Sequence, residues 1–125
     1  MVGGERERET HMALYVVRAK PIQDRLGGLR KELDSGEISR MTPFGEELHQ
    51  SLLDARIDSK EDEEGDGGDG YAYWVEEDYC TPPLAMERRS VLDRYFEEIK
   101  VKPVNSREEG WDMIKAPSSL WGQTA

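Results

Sequence analysis

The sequence predicts a small single-domain α+β sandwich: a mixed or antiparallel sheet with helices packed on one face. Three observations predict it. Residues 13–19 (ALYVVRA) and 71–75 (YAYWV) are rich in branched and aromatic residues, which fit a pleated, half-buried surface. Between and after them, apolar residues recur at helical spacing. The resulting order is strand, helix, helix, short strand, strand, helix, strand, which a mixed or antiparallel sheet accommodates best.

Residues 1–11 (MVGGERERETH) are polar and aperiodic, and read as a disordered arm. Met12 heads the run MALYVV and suits a native initiator, which would make the arm a leader or cloning remnant. Residues 13–19 are almost continuously apolar, as a central strand is, and Pro21 ends them. Ile22, Leu26, Leu29 and Leu33 then fall on one helical face over residues 22–35. Gly27 and Gly28 inside that helix each cost about 1 kcal/mol relative to Ala, so a strand is expected to pack closely against them. Gly36 is the expected C′ residue.

Thr42-Pro43 is a cap-and-proline signal for a second helix from residue 43 to about residue 54, with Phe44, Leu48 and Leu52 inward. Residues 55–58 either extend it or form a short strand. Residues 58–70 (DSKEDEEGDGGDG) hold seven acids and one Lys, hence −6 of the chain's net −10. They read as a flexible acidic loop joining a hairpin.

In the next strand Tyr71, Tyr73 and Val75 share one face, and Ala72, Trp74 and Glu76 the other. Two mostly apolar faces indicate an inner strand. Three adjacent carboxylates, Glu76, Glu77 and Asp78, are costly to bury, so the strand is expected to emerge into solvent there. Thr81 and Pro82 then mark a helix start, with Leu84, Val91, Leu92, Tyr95, Phe96 and Ile99 as its apolar face. Residues 100–104 (KVKPV) read as an edge strand protected by lysines and Pro103. The domain thus spans residues 12–104. The tail, residues 105–125, is polar apart from Trp111, Met113, Ile114, Leu120 and Trp121. These anchors are expected to hold it to the domain or, preferentially, to a second subunit of a homodimer, with an added strand WDMIK as the competing arrangement. The layout broadly resembles a ferredoxin-like α+β sandwich with an extra helix where a strand belongs. That is an analogy of layout, and layout does not give function.

Composition narrows the function classes. The chain has 125 residues, 35% charged and 36% hydrophobic, with net charge −10 and pI near 4.7. That balance argues against nucleic acid, whose phosphates need clustered Lys and Arg, and against an anionic membrane surface. No apolar run reaches membrane-spanning length and no signal peptide is visible, so the cytoplasm is the expected location by elimination. One Cys excludes an internal disulfide and a Cys-cluster zinc site.

Four candidate sites stand beside simpler readings. Glu76, Glu77, Asp78 and Tyr79 can supply a general acid or base at a strand end, with Trp74 flooring a pocket; the simpler reading is a solvated end favoured by the following helix dipole. Cys80 precedes a helix start, which lowers a thiol pKa, while the neighbouring acids raise it. The simpler reading makes it a small packing residue. His49 can serve as a base, and a transition metal there would need carboxylates such as Glu46; a boundary histidine is the simpler reading. Asp62, Glu64, Asp66 and Gly67 match the start of a calcium loop, but Tyr73 occupies the position that needs a bidentate Glu, so a solvated loop is the simpler reading. No metal or cofactor is expected. The leading function class is a non-catalytic interaction or ligand-binding domain that forms a homo-oligomer, with an unidentified protein or small-molecule partner. The alternatives are a small enzyme using Glu76–Cys80 with His49, and an acidic binder of a basic protein.

Overall fold

The computed structural model describes residues 13–58, 70–78, 83–116 and 118–124. Residues 1–12, most of the acidic loop with Asp62, Glu64, Asp66 and Gly67, and the segment Tyr79, Cys80, Thr81 and Pro82 lie outside the described residues.

The described elements are strand β1 (Ala13–Pro21), helix α1 (Leu26–Ser35) after a 3₁₀ turn at Gln23–Arg25, helix α2 (Gly45–Leu53), strand β2 (Arg56–Ile57) and strand β3 (Ala72–Asp78). A composite helix α3 follows over residues 85–95, then strand β4 (Phe96–Val104), helix α4 (Arg107–Met113), strand β5 (Ser118–Ser119) and a 3₁₀ turn. The sheet is antiparallel in order β4-β1-β3-β2-β5, which is the expected α+β class.

The pleat of β1 and β3 builds the core. Val17 lies opposite Trp74 and Ala19 opposite Ala72, all four fully buried on the face that receives α1, α2 and α3. Leu26, Leu29 and Leu33 of α1 and Leu48 and Leu52 of α2 complete that core. Each fully buried Leu contributes about 1.5–3 kcal/mol. Gly36 closes α1 in the left-handed region at φ 84°, where a Cβ would be strained, as expected of a C-terminal cap glycine. Gly27 and Gly28 do not receive a strand. Both are exposed; a Cβ at Gly27 would meet nothing within 4 Å, and one at Gly28 would reach only the Tyr95 ring at 3.7 Å.

α2 begins at Gly45, two residues after the expected start, with no side-chain cap. Gly45 is required by close approach: a Cβ there would lie 2.2 Å from the Ile38 backbone oxygen. Gly45→Ala should therefore cost about 2 kcal/mol, since backbone cannot rotate away as a side chain does. A urea titration measures this, and an unchanged midpoint would contradict the packing. α2 also stands where a longer β2 would run. Ser51 Oγ donates to the Val75 carbonyl at 3.0 Å, and Glu47 Oε2 accepts the Glu77 N–H at 3.0 Å. Side chains of α2 thus satisfy the β3 edge beyond the two-residue β2.

Several boundaries differ from expectation. β3 continues through Asp78 instead of emerging at Glu76. α3 starts at Ala85, with Leu84 as its cap residue, rather than at Pro82. Phe96 and Ile99 belong to β4, an edge strand with an irregularity near Glu98 (φ 53°) that keeps the pleat from being read at period two. Most of WDMIK is helix α4 rather than a strand. Ser106 Oγ caps α4 by accepting the Glu109 N–H at 3.0 Å, and Glu109 Oε1 accepts the Asn105 N–H at 2.8 Å. α4 lies on the other sheet face, with Gly110 against Val75 and Val104. Trp111 and Trp121 pack against the domain's own core, Leu120 is fully buried, and Trp121 Nε1 donates to the Leu52 carbonyl at 2.7 Å. Among the described residues no helix is long and apolar enough to cross a membrane.

Candidate functional site

The site follows from the length of β3. Side chains alternate faces along a strand, so Ala72, Trp74, Glu76 and Asp78 all point to the core and Glu77 points away. Extending the strand past Val75 therefore carries two carboxyls inward. Glu76 is 0% exposed and Asp78 4%. A third carboxyl meets them from α3, where Glu87 is 1% exposed.

The entry to α3 brings Glu87 there. Leu84 is held at φ 63°, ψ 20°, a conformation that costs a non-glycine residue about 1–2 kcal/mol. Two things hold it: its side chain is fully buried, and its N–H donates to Asp78 Oδ2 at 2.7 Å. The helix runs as α over Ala85–Glu87 and then widens to a π turn over Arg88–Leu92. Backbone strain and π turns gather at functional sites, and here both adjoin the buried acids.

The three carboxyls touch in series. Trp74 Nε1 donates to Glu76 Oε1 at 2.9 Å. The carboxyls of Glu76 and Glu87 lie close enough to affect each other's charge, as do those of Glu87 and Asp78. Among the described residues Glu76 Oε2 and Glu87 Oε1 find no N–H or O–H donor. Only a proton retained by the pair can serve them. Burial is the largest cause holding Glu76 well above the usual carboxylate range, followed by the charge of Glu87. Burial likewise raises Glu87, to about 7, with Asp78 adding to the effect and the bond from Glu76 opposing it. Burial and the nearness of the two carboxyls thus keep protons on the pair, which titrates as a unit.

Glu87 and Asp78 also form the inner wall of a cavity of about 500 Å³, whose other lining residues are Pro43, Phe44, Glu46, Glu47, Glu77 and Met86. Five of these eight residues are acids. Arg107 of α4 reaches two of them, bonding Glu47 Oε2 at 3.0 Å and Glu77 Oε1 at 2.5 Å. Burial works against the Arg107 charge, but the bonds and charges of Glu47 and Glu77 together outweigh it and hold the guanidinium more firmly protonated.

Of the residues singled out from sequence, Glu76, Glu77 and Trp74 belong to this region. Trp74 is fully buried behind Glu76 and does not line the cavity. His49 is not brought in: it lies on α2 outside the lining, and its buried Nδ1 has no hydrogen-bond partner among the described residues. Tyr79 and Cys80 lie outside the described residues. Glu87 was not singled out, although its position carries a signal. It stands three residues after Leu84 and four before Val91, so it falls within the apolar stripe. Among the described residues no group of three His, Cys, Asp or Glu is placed to hold a metal ion. No protein-family model matches the chain, and searches of curated proteins and of solved structures find no similar protein.

Proposed function

We propose that this chain is a non-catalytic ligand-binding domain whose site is the acidic cavity between α2, the end of β3 and the start of α3. One observation carries this: a carboxyl that lines the cavity, Glu87, is buried with an oxygen that no N–H or O–H of another side chain or of the backbone reaches among the described residues. A buried unsatisfied polar group costs about 1–3 kcal/mol. A fold that keeps one beside a strained Leu84 and a π turn is expected to use it. The test is a set of cationic, neutral and anionic small fragments followed by amide NMR. Expected are shifts confined to residues 43–47, 76–78 and 84–88. Shifts elsewhere only, or none, would contradict the proposal.

A second reading, acid–base catalysis, is favoured by Glu87 titrating near neutrality, where a general acid or base works best. Fast alkylation of native Cys80 near neutral pH would favour the thiol form of that enzyme. A binder of a basic protein is supported by the net charge of −10, and its sign is salt-sensitive association. We keep with the leading proposal a cytoplasmic homodimer. Its support is the single Cys and the exposure left on Met113, Ile114, Trp111 and Trp121. Light scattering checks the association, and a monomer at high concentration would remove it.

A further inference from the structure

Resting on that binding proposal, we infer that the cavity takes an organic cation, an ammonium or amidinium head on a short apolar body, and that the head replaces the proton shared by Glu76 and Glu87. What the inner wall lacks is a hydrogen-bond donor. Glu87 Oε1 on that wall has none among the described residues, nor has Oε2 of its neighbour Glu76, which lies outside the lining, and both side chains are more than nine-tenths buried. An anion meets five acids there. A bare metal ion needs several carboxyls converging on one point, and among the described residues no such group exists. An N–H-bearing head supplies a directional donor and one positive charge together.

The rest of the lining fits the rest of such a molecule. Pro43, Phe44 and Met86 offer an apolar wall, and Phe44 adds an aromatic ring, a group that attracts cations. A volume of about 500 Å³ exceeds what an ammonium ion alone fills, so a body belongs with the head. Arg107 already holds Glu47 and Glu77, leaving Glu46 at the mouth and Glu87 on the inner wall for the incoming charge, with Glu76 outside the lining and reached through Glu87.

The exchange balances. As the cation enters, the Glu76–Glu87 proton leaves to solvent, and the charge of the inner wall stays constant. The groups facing the pair are Asp78 and Trp74 on β3, Tyr15 opposite Glu76 on β1, Glu46 and Glu47 on α2, and Glu77 with Arg107 at the mouth. A ligand that competes with a proton binds according to the fraction of sites that have lost it. With Glu87 titrating near 7, the fraction with Glu87 ionised is about one-tenth at pH 6 and about nine-tenths at pH 8.

The test uses the full chain and three probes: 2-phenylethylammonium, its neutral isostere 2-phenylethanol, and calcium. Dissociation constants are read by NMR at pH 6 and pH 8, with the Trp74 indole N–H resonance as a reporter of Glu76. Expected is 2-phenylethylammonium binding about tenfold tighter at pH 8, with the alcohol and calcium weaker at both values. In Glu76→Gln the tenfold ratio falls to about one, because the amide donates permanently to Glu87. Should that variant fail to fold, the wild-type ratio decides alone. Equal affinity at the two pH values overturns the inference, as does tighter binding of the alcohol or calcium. Those outcomes leave ligand binding itself intact, because a probe still occupies the cavity. If none of the three shifts the cavity resonances, the inference is overturned, and the broader fragment set then judges the binding proposal separately.

Discussion

Replacing Trp74 by Phe is expected to lower the unfolding free energy by about 3–4 kcal/mol. Trp74 is fully buried, with its ring tilted 54° against Phe96 at 5.2 Å between centroids. The smaller ring leaves part of that volume empty, which costs about 1–2 kcal/mol. The lost indole N–H leaves Glu76 Oε1 without a donor, at a further cost of about 1–3 kcal/mol. The variant also has a signature that cavity formation alone lacks. The indole bond favours the ionised form of Glu76, so its removal pushes that carboxyl higher still. The pH dependence of stability should therefore extend to higher pH in Trp74→Phe. Urea titrations across pH measure both effects. A loss below about 1 kcal/mol, or an unaltered pH profile, would contradict the role given to Trp74.

Raising the pH from about 5 to about 8 is expected to destabilise the wild-type fold by about 2–3 kcal/mol. Glu76 and Glu87 hold protons more tightly folded than unfolded. Between the unfolded value, near 4.5, and the folded value, about 7 for Glu87, the folded chain binds more protons than the unfolded one. Stability therefore falls as pH rises through that window. The Glu87 contribution is fully present below about 4.5 and lost above about 7. The displacement of Glu87 alone corresponds to roughly 3 kcal/mol, lessened by water at the cavity mouth. Ordinary paired carboxylates have the opposite sign. Glu76→Gln should flatten the profile, since its amide oxygen accepts the Trp74 N–H and its NH₂ serves Glu87. A urea midpoint that stays level or rises from pH 5 to pH 8 would oppose this.

Much of the scaffold was legible. The continuous apolar run at 13–19, the branched and aromatic run at 71–75 and the helical stripe Leu26, Leu29, Leu33 each point to one kind of element, and the elements follow them. The end of α3 was not legible, because Tyr95, Phe96 and Ile99 satisfy helical spacing as well as they satisfy a strand with an irregularity at Glu98. The start of α4 carried a readable capping pattern, Ser106 followed by Glu109, that the polar composition of the tail concealed. The candidate site was half legible. Glu76 stands out as part of an acidic run, but in sequence that run amounts to three charges, and three charges do not bury. Once a proton is kept between two of them, they do. That proton depends on Glu87, eleven residues away in sequence and brought over by a strained Leu84 and a π turn, neither of which has a pattern in the residues themselves.

The central claim is that Glu76 and Glu87 share a proton at neutral pH against the cavity wall. Carbon-13 NMR of the glutamate Cδ carbons, followed from pH 3 to pH 9, tests it most directly. Two Cδ resonances are predicted to titrate near or above neutrality, with the Trp74 indole N–H moving with them and Glu76→Gln abolishing one and lowering the other. If every glutamate Cδ in the wild-type chain completes its titration below about pH 5.5, within the ordinary carboxylate range, the shared proton does not exist and the account built on it fails.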